Sequence, residues 1–261
     1  MEHSKLFGVI QVSGADAAKF LQGQLTNDIN SLSNQDMIYA AYLNPKGRML
    51  ASFIITQDIE KNYLLICPED IIEYLVKRLR MFVMRSQVVI EPVEYSWVLS
   101  EAKLGGAISS FTLGNYCCNL VPPGSVYATS YDFNQLCVEM GVPMIYQASQ
   151  EQVIPQHVNY DLLGGVNFKK GCYTGQEIVA RIHYLGKVKR RMYRFISNVE
   201  PVIGSVVTSP LMDNQEVGHI IDYVRCKNQF RGLVSSQIDC MEQLFVGQNH
   251  LIDVTEITYN I

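Results

Sequence analysis

A short stretch from residue 169 to residue 181 constrains the fold more than any other part of this 261-residue sequence. It reads Lys-Lys-Gly-Cys-Tyr-Thr-Gly-Gln-Glu-Ile-Val-Ala-Arg. Thr174 and Glu177 have the spacing of a capping box, in which each side chain accepts a hydrogen bond from the other residue's backbone N–H. Apolar residues then recur at helical spacing as far as Gly186, and glycine commonly ends a helix in the left-handed conformation. The pattern therefore predicts a capped helix that begins at this point.

Cys172 lies two residues before the predicted N-cap and follows two lysines, Lys169 and Lys170. Helix N-termini and ammonium groups both stabilise a thiolate, so this is the one cysteine whose surroundings predict a reactive side chain. A buried cysteine that only packs against its neighbours is the alternative. Glu177 also has two interpretations, because an ion pair with Arg181, one helical turn later, would use its carboxylate equally well.

The charge distribution limits the classes of partner. The formal net charge is −4, which disfavours a surface that binds nucleic acid generally. A basic run is the local exception, and Glu177 is its single acid against the Lys and Arg residues at positions 169, 170, 181, 187, 189, 190, 191 and 194. Its C-terminal part, residues 187–194, is either a solvated face or a contact for a folate polyglutamate chain, RNA phosphates or an acidic protein. No aromatic RNA-binding motif lies beside it, so direct nucleic-acid binding is the least favoured of these.

The cysteines do not predict a disulfide framework or a metal site. There are seven of them, an odd number without regular spacing, and neither C-x-x-C nor H-x-x-x-H occurs. All except Cys172 are predicted to be small apolar packing residues (Cys67, Cys117, Cys118, Cys137, Cys226 and Cys240). The N-terminus lacks an apolar signal core, and no apolar run of about 18 residues occurs. We therefore expect a cytoplasmic protein without membrane association.

The order of predicted elements indicates an α+β fold. Over the first hundred residues the order is strand, helix, hairpin, strand, helix, strand, which is not the regular alternation of a doubly wound sheet. We predict strands at 6–12, 37–43, 49–56 and 63–67 and helices at 69–83 and 132–140. Beyond Lys187 the sequence predicts strands almost exclusively, as in a small β-barrel. The expected regions are therefore 1–186, with subdomains of approximately 1–100 and 101–186, and a C-terminal barrel at 187–261.

The stretch around Cys172 resembles the signature of the YgfZ family, which are folate-binding proteins related to the T protein of the glycine cleavage system. The resemblance extends from about residue 6 to residue 191 and includes Gly14-Ala15-Asp16, residues 20–28, Lys46-Gly47-Arg48, Ile154-Pro155-Gln156 and residues 163–168. It implies the T-protein fold, with α+β subdomains around a central folate cavity and a C-terminal barrel. The motif residues that it singles out are Lys170, Gly171, Cys172, Tyr173, Gly175, Gln176, Glu177 and Arg181.

The resemblance also implies a cofactor, tetrahydrofolate or another reduced folate. Aromatic residues of related sequences match Phe7 and Phe133 here, at positions where family members have tryptophan. A phenylalanine ring can stack on a pterin, but it has no N–H to donate. Packing in the core is the alternative role for both rings.

The aminomethyltransferase relative has acids on the strand that follows the Asn-x-x-Gly turn, where this sequence has Ala51 and Ser52. Neither can act as a carboxylate general acid or base, so aminomethyl transfer is not expected, and the sequence leaves open whether the protein is an enzyme. The resemblance implies a folate-binding factor that supports assembly or repair of iron–sulfur clusters and so affects tRNA modification. Its partners would be iron–sulfur assembly or client proteins. The alternatives are a tetrahydrofolate-dependent one-carbon transferase that uses Cys172 and an RNA-contacting factor that uses the basic run.

Overall fold

The computed structural model describes residues 7–125 and 132–259. These residues form three sheets and four α-helices, α1 (Ala17–Gln24), α2 (Ile72–Arg80), α3 (Phe133–Met140) and α4 (Gln176–Leu185). The strands are β1 (Phe7–Ser13), β2 (Ile38–Leu43), β3 (Met49–Gln57), β4 (Tyr63–Pro68), β5 (Val89–Val93), β6 (Ser96–Ser100), β7 (Ser109–Leu113), β8 (Tyr116–Val121), β9 (Arg190–Ser197), β10 (Val206–Ser209), β11 (Gln215–Cys226), β12 (Gln229–Gln237), β13 (Phe245–Val246), β14 (Asn249–His250) and β15 (Ile252–Glu256). No described helix is long and apolar enough to cross a membrane.

The first sheet has five antiparallel strands in the order β2-β3-β4-β1-β5. Its second strand, β3, lies inside the sheet and is buried on both faces, to which successive side chains of a strand point in turn. Phe53 and Ile55 pack with α1 and α2 on one face. Ile54 faces a larger core, which also takes in residues of the other two sheets. The first sheet is therefore the layer between the two cores.

The hairpin predicted from strands at 37–43 and 49–56 is β2–β3, and its turn is Asn44-Pro45-Lys46-Gly47. The Asn44 side chain accepts hydrogen bonds from the backbone N–H groups of Lys46 and Arg48, at 2.9 and 3.0 Å. Gly47 donates its N–H to the Asn44 carbonyl oxygen at 2.9 Å and has a positive φ of 72°. The turn residues suffice to form this hairpin locally, which is why its prediction from sequence is confirmed.

The second sheet is the three-stranded β6-β8-β7, and α3 lies in the same core. The Asp132 side chain caps α3 by accepting hydrogen bonds from the N–H groups of Asn134 and Gln135. Gly141 ends the helix in the left-handed conformation, with φ 69°. The helix predicted at 132–140 is therefore confirmed.

The third sheet contains the strands from β9 onward, in the order β14-β13-β10-β11-β12-β9-β15. Register shifts interrupt three of its strand pairs, and such irregularities increase the local bend of a sheet. The sheet curls into a half-barrel, and within residues 132–259 its edge strands β14 and β15 are not paired with each other. The predicted C-terminal barrel is thus all-β, as expected, but open.

The helix predicted at 69–83 is shorter than expected. A 3₁₀ turn, Glu69–Ile71, precedes α2, and beyond Arg80 the chain continues in turns that leave Phe82 45% exposed. The Arg80 side chain instead donates a hydrogen bond of 2.8 Å to the Ile90 carbonyl oxygen, which fastens the end of α2 to β5. Leu6, the predicted start of the first strand, lies outside the described residues.

Candidate functional site

The predicted capping box at the start of α4 is wrong. The helix begins at Gln176, and its N-cap is Gly175, which has φ 81° and makes no side-chain cap. Glu177 instead forms an exposed ion pair of 3.0 Å with Arg181, as its alternative interpretation predicted. Gly186 follows the helix in an extended conformation, φ −110°, and not in the expected left-handed one.

Gly175 replaces the capping box because it lies against the β2–β3 turn. A Cβ atom at Gly175 would be 2.6 Å from the Asn44 carbonyl oxygen and 3.0 Å from the Gly47 Cα. A Cβ atom at Gly47 would in turn be 2.8 Å from the Ile178 Cβ. Only residues without side chains allow this approach, so two motifs far apart in sequence meet backbone to backbone.

Lys170 holds the same stretch to the end of α1. Its Nζ donates hydrogen bonds to the carbonyl oxygens of Gln22, Leu25 and Asn27, at 2.8, 2.7 and 2.8 Å. Burial lowers the pKa of the Lys170 ammonium to about 8, and the negative charge of Asp28 opposes that shift. An ammonium group has three donors, and all three are used here. Lys170 is therefore committed to α1 and not, as the sequence suggested, to the thiol that follows it.

The segment before Cys172 is tied to the residues that follow α1. The Thr26 hydroxyl donates to the Gly165 carbonyl oxygen at 2.6 Å, and the Asn167 N–H donates to the Thr26 carbonyl oxygen at 3.0 Å. The Asn167 side chain then accepts hydrogen bonds from the N–H groups of Lys169 and Lys170. Residues 20–28 and residues 163–168, two separate parts of the family resemblance, are thus joined by hydrogen bonds.

A second set of contacts holds α4 from the other side. The Gln156 side-chain amide donates to the Val179 carbonyl oxygen at 2.7 Å, in a buried position. Arg191 binds both carboxylate oxygens of Asp161, at 2.6 and 3.1 Å, and also donates to the Gln156 carbonyl oxygen. The Ile154-Pro155-Gln156 motif is therefore structural in this fold, because it positions the helix that follows Cys172.

Cys172 itself is exposed, whereas five of the other cysteines are buried and Cys226 is partly buried. Burial raises the pKa of the Cys67 and Cys137 thiols and raises that of Cys118 to about 12. Within the described part of the chain, no three His, Cys, Asp or Glu side chains could jointly hold a metal ion. The thiol of Cys172 is thus exposed, it belongs to no metal-binding group of the described residues, and its chemical role stays a prediction.

The structure separates the basic run into two groups. Arg190 pairs with Glu216 at 3.6 Å, and Arg194 donates to the Glu139 carbonyl oxygen at 2.6 Å; Lys170, Arg181 and Arg191 are engaged as described above. Among residues 7–125 and 132–259, the lysines at positions 169, 187 and 189 have no ion-pair partner. The run is therefore not one continuous basic surface.

Aromatic rings lie beside Lys169, and the sequence analysis missed this cluster of rings. Phe168 stacks on His183 of α4, with ring centroids 3.7 Å apart and an interplanar angle of 12°. Tyr184 is 63% exposed and contacts both rings edge-on. The two segments that supply the rings are separated in sequence by the whole motif, so no local pattern revealed them.

Phe7 and Phe133, the two rings predicted to contact a pterin, touch each other. Their centroids are 5.1 Å apart in an edge-to-face arrangement. Trp97 of β6 stacks on Phe133 with centroids 4.4 Å apart and an interplanar angle of 20°. Trp97 is the chain's only tryptophan, and it was missed because no motif surrounds it. We call Phe7, Trp97 and Phe133 the aromatic cluster.

The aromatic cluster fits a reduced folate on an observation independent of the family resemblance. The Trp97 indole Nε1 is buried, and none of the residues that the structure describes accepts a hydrogen bond from it. Buried donors are nearly always paired in folded proteins, so an acceptor brought by a ligand would complete this one. Flat faces and an unsatisfied donor are what a bicyclic pterin requires.

The two positions at which the aminomethyltransferase relative has acids lie in the core of this fold. Ala51 and Ser52 are both fully buried in β3. The Ser52 hydroxyl accepts a hydrogen bond of 2.9 Å from the Ile145 N–H, so the segment after α3 covers this face of the strand. Neither residue has a carboxylate to exchange protons with a folate nitrogen.

A separate cavity of about 590 Å³ lies between the first and second sheets. Its lining comes from residues within 32–36, 56–61 and 103–110 and is largely polar, with an ion pair of 3.4 Å between Lys103 and Asp36. No member of the aromatic cluster lines it. The predicted pterin residues and this cavity are therefore two different places in the molecule.

Comparison with known proteins is consistent with this arrangement. Residues 2–108 match the family described as the GCVT N-terminal domain. The tRNA-modifying protein YgfZ of Yersinia pestis is 30% identical over 233 residues, which cover 75% of this chain and 70% of that protein. The tRNA-modifying protein YgfZ of Colwellia psychrerythraea is 26% identical over 253 residues, covering 82% and 78%.

Among solved structures, the glycine cleavage system aminomethyltransferase T of Bartonella henselae superposes with a TM-score of 0.68. The superposition covers 97% of this chain and 83% of that protein, at 12% sequence identity. Identity this low shows the fold alone. It confirms the predicted α+β architecture with an all-β C-terminal part.

Proposed function

Since this chain belongs to the YgfZ family, we propose that it is a folate-binding factor that acts in tRNA modification. The observation that carries the proposal is the contact between Phe7 and Phe133, at 5.1 Å between ring centroids. These rings were predicted separately as pterin contacts, and the fold brings them into one cluster with an unsatisfied indole donor. The two relatives described above are named tRNA-modifying proteins, which supports a role in tRNA modification.

Tetrahydrofolate is the proposed cofactor, and when bound it would supply one-carbon chemistry. The aromatic cluster would hold its ring, and the protein's own contribution there would be stacking, one hydrogen bond and exclusion of water. We propose that the chain does not transfer an aminomethyl group, because Ala51 and Ser52 provide no carboxylate. Incubation with aminomethylated lipoyl carrier protein and tetrahydrofolate should give no turnover, and enzymatic rates of about 1 per second or more would contradict this.

We propose that the route to tRNA modification is assembly or repair of iron–sulfur clusters in the cytoplasm, with cluster-assembly or client proteins as partners. The exposed thiol of Cys172 supports this, since thiolates are the usual protein ligands of such clusters. Common clusters take about four protein ligands, and this chain offers no metal-binding group among its described residues. The role of Cys172 would therefore be transient, as a shared ligand or a relay to a partner.

The ligand is tested by calorimetric titration of the purified protein with tetrahydrofolate. We expect saturable binding, and a loss of affinity of about tenfold or more in Phe7→Ala and Phe133→Ala, because each substitution removes a ring that builds the aromatic cluster. Phe245→Ala is the matched control, since Phe245 lies in the half-barrel, where it contacts His250 and no member of the aromatic cluster. Absence of heat at millimolar ligand would overturn the folate proposal, and unchanged affinity in both variants would remove these rings from it.

The thiol is tested in cells that lack the gene. The wild type and Cys226→Ser should restore iron–sulfur enzyme activity and tRNA thio-modification, and Cys172→Ser should not. Cys226 is the appropriate control because it is the least buried of the other cysteines. Full rescue by Cys172→Ser would show that the motif is purely structural.

The exposed thiol also favours one second candidate, a tetrahydrofolate-dependent one-carbon transferase in which Cys172 is the nucleophile or acceptor. Mass spectrometry of the Cys172 peptide after incubation with one-carbon-loaded folate distinguishes the two. A stable mass increase confined to Cys172 supports the transferase. Folate binding without any such increase supports the binding factor.

A further inference from the structure

We infer that Trp97, and not Phe133, is the residue on which the pterin ring of the folate stacks, and that its indole N–H donates a hydrogen bond to another part of the same ligand, beside the stacked ring. This inference rests on the proposed folate site and specifies how the site is built.

Phe133 has little surface left for a ligand. It is only 7% exposed, because Trp97 covers one of its faces at 4.4 Å and Phe7 contacts it edge-on at 5.1 Å. Phe7 and Trp97 are partly exposed. The predicted stacking ring is thus an inner ring that supports the other two, and the ligand-facing surface of the cluster comes from its partners.

Trp97 is the better match of these two partners to a pterin. Both an indole and a pterin are fused bicyclic systems, so their stacked overlap exceeds that of a pterin on a single phenyl ring. Trp97 lies on β6, an outer strand of the three-stranded sheet, where it is opposite Leu120 on β8. No strand of the described chain lies on the other side of β6 in this sheet.

The indole N–H gives the second, independent reason. It is buried and has no acceptor among residues 7–125 and 132–259, which is an unfavourable state for a donor. This N–H lies in the plane of the indole ring and points past a pterin stacked on its face, so its acceptor would be a carbonyl oxygen of the benzoylglutamate part of the folate. Because the N–H is fully covered in the structure, its contact with a ligand requires the groups above it to shift. Stacking and hydrogen bonding are therefore tested separately.

Stacking is tested on the unmodified protein by tryptophan fluorescence. The chain has one tryptophan, so emission excited beyond the tyrosine band reports on Trp97 alone. Titration with tetrahydrofolate should change this emission with the same midpoint that calorimetry gives, after correction for ligand absorption with free tryptophan. Calorimetric binding without a saturable change in emission would overturn the inference and leave the proposed function standing. Absence of calorimetric binding would overturn both.

Hydrogen bonding is tested with two substitutions. Trp97→Phe keeps an aromatic face and loses the donor, and we expect about tenfold weaker binding of tetrahydrofolate. Trp97→Leu loses both and should bind at least about tenfold more weakly again. Urea denaturation of each variant checks that it folds, and the wild-type fluorescence titration stands even if one does not. Wild-type affinity in a folded Trp97→Leu protein would overturn the inference.

Discussion

Replacing Gly175 by alanine tests whether the contact between α4 and the β2–β3 turn holds the Cys172 motif in place. Gly175 has φ 81°, a left-handed conformation that costs an alanine about 1–2 kcal/mol. The new Cβ would also lie 2.6 Å from the Asn44 carbonyl oxygen, so the helix or the turn must move. Forced shifts of this kind typically cost about 1–3 kcal/mol. Together these effects should lower the free energy of unfolding by about 2–5 kcal/mol.

Urea denaturation followed by circular dichroism measures this change. Gly171→Ala is a matched control from the same motif, because a Cβ at Gly171 would meet no atom within 4 Å. The control should change the free energy of unfolding by no more than about 0.5 kcal/mol. Equal stability of the two variants would refute the reasoning, since it would mean that the close approach to Asn44 is not what fixes the start of α4.

Three further predictions concern single side chains. Lys170→Met should lower the free energy of unfolding by about 2–3 kcal/mol, because three carbonyl oxygens lose their hydrogen-bond donor. The control Lys169→Met should have little effect in the same urea assay. Equal effects of the two substitutions would contradict the hydrogen bonding of Lys170 to the end of α1. Burial lowers the pKa of His157 to about 4, so below about pH 6.5 the unfolded chain binds a proton that the folded chain does not, and stability falls as the pH falls. From about pH 7.5 to about pH 5 this should remove about 2 kcal/mol, a loss absent from His157→Gln, and identical pH profiles of the two proteins would contradict it. Iodoacetamide should modify Cys172 well before Cys67 in the folded protein, as followed peptide by peptide by mass spectrometry, and comparable rates would contradict the exposure difference.

The elements that sequence predicted correctly are those formed by local chemistry. Asn44 and Gly47 suffice for the β2–β3 turn, and Asp132 and Gly141 suffice to begin and end α3. These residues act within a few positions of themselves. A sequence pattern can therefore reveal them without knowledge of the rest of the fold.

The start of α4 shows why other predictions failed. Thr174 and Glu177 have capping-box spacing, but packing of Gly175 on the turn sets the backbone and overrides the local preference. The α2 prediction failed more mildly, because apolar periodicity continued beyond the last helical residue, Arg80. In both cases the contact that sets the end of the helix involves a residue outside the stretch used for the prediction, Asn44 for α4 and Ile90 for α2.

The candidate site also has some features that the sequence predicts and others that it does not. The exposure of Cys172 agrees with its position before a helix, but the use of Lys170 on α1 depends on a long-range contact that no spacing reveals. Trp97 has no motif around it and reaches Phe133 only through the packing of β6 beside α3. The residues that set the chemistry of the cluster were therefore the hardest to find from sequence.

A crystal structure of the protein with tetrahydrofolate tests the central claim most directly, because the proposed site at the aromatic cluster and the 590 Å³ cavity are different places in the molecule. Electron density for the pterin ring should lie against the aromatic cluster, in contact with Trp97. Density in the 590 Å³ cavity between the first and second sheets, lined by Thr56 and Ser109, would contradict the proposed site. A crystal grown at saturating tetrahydrofolate with no pterin density at all would contradict folate binding itself.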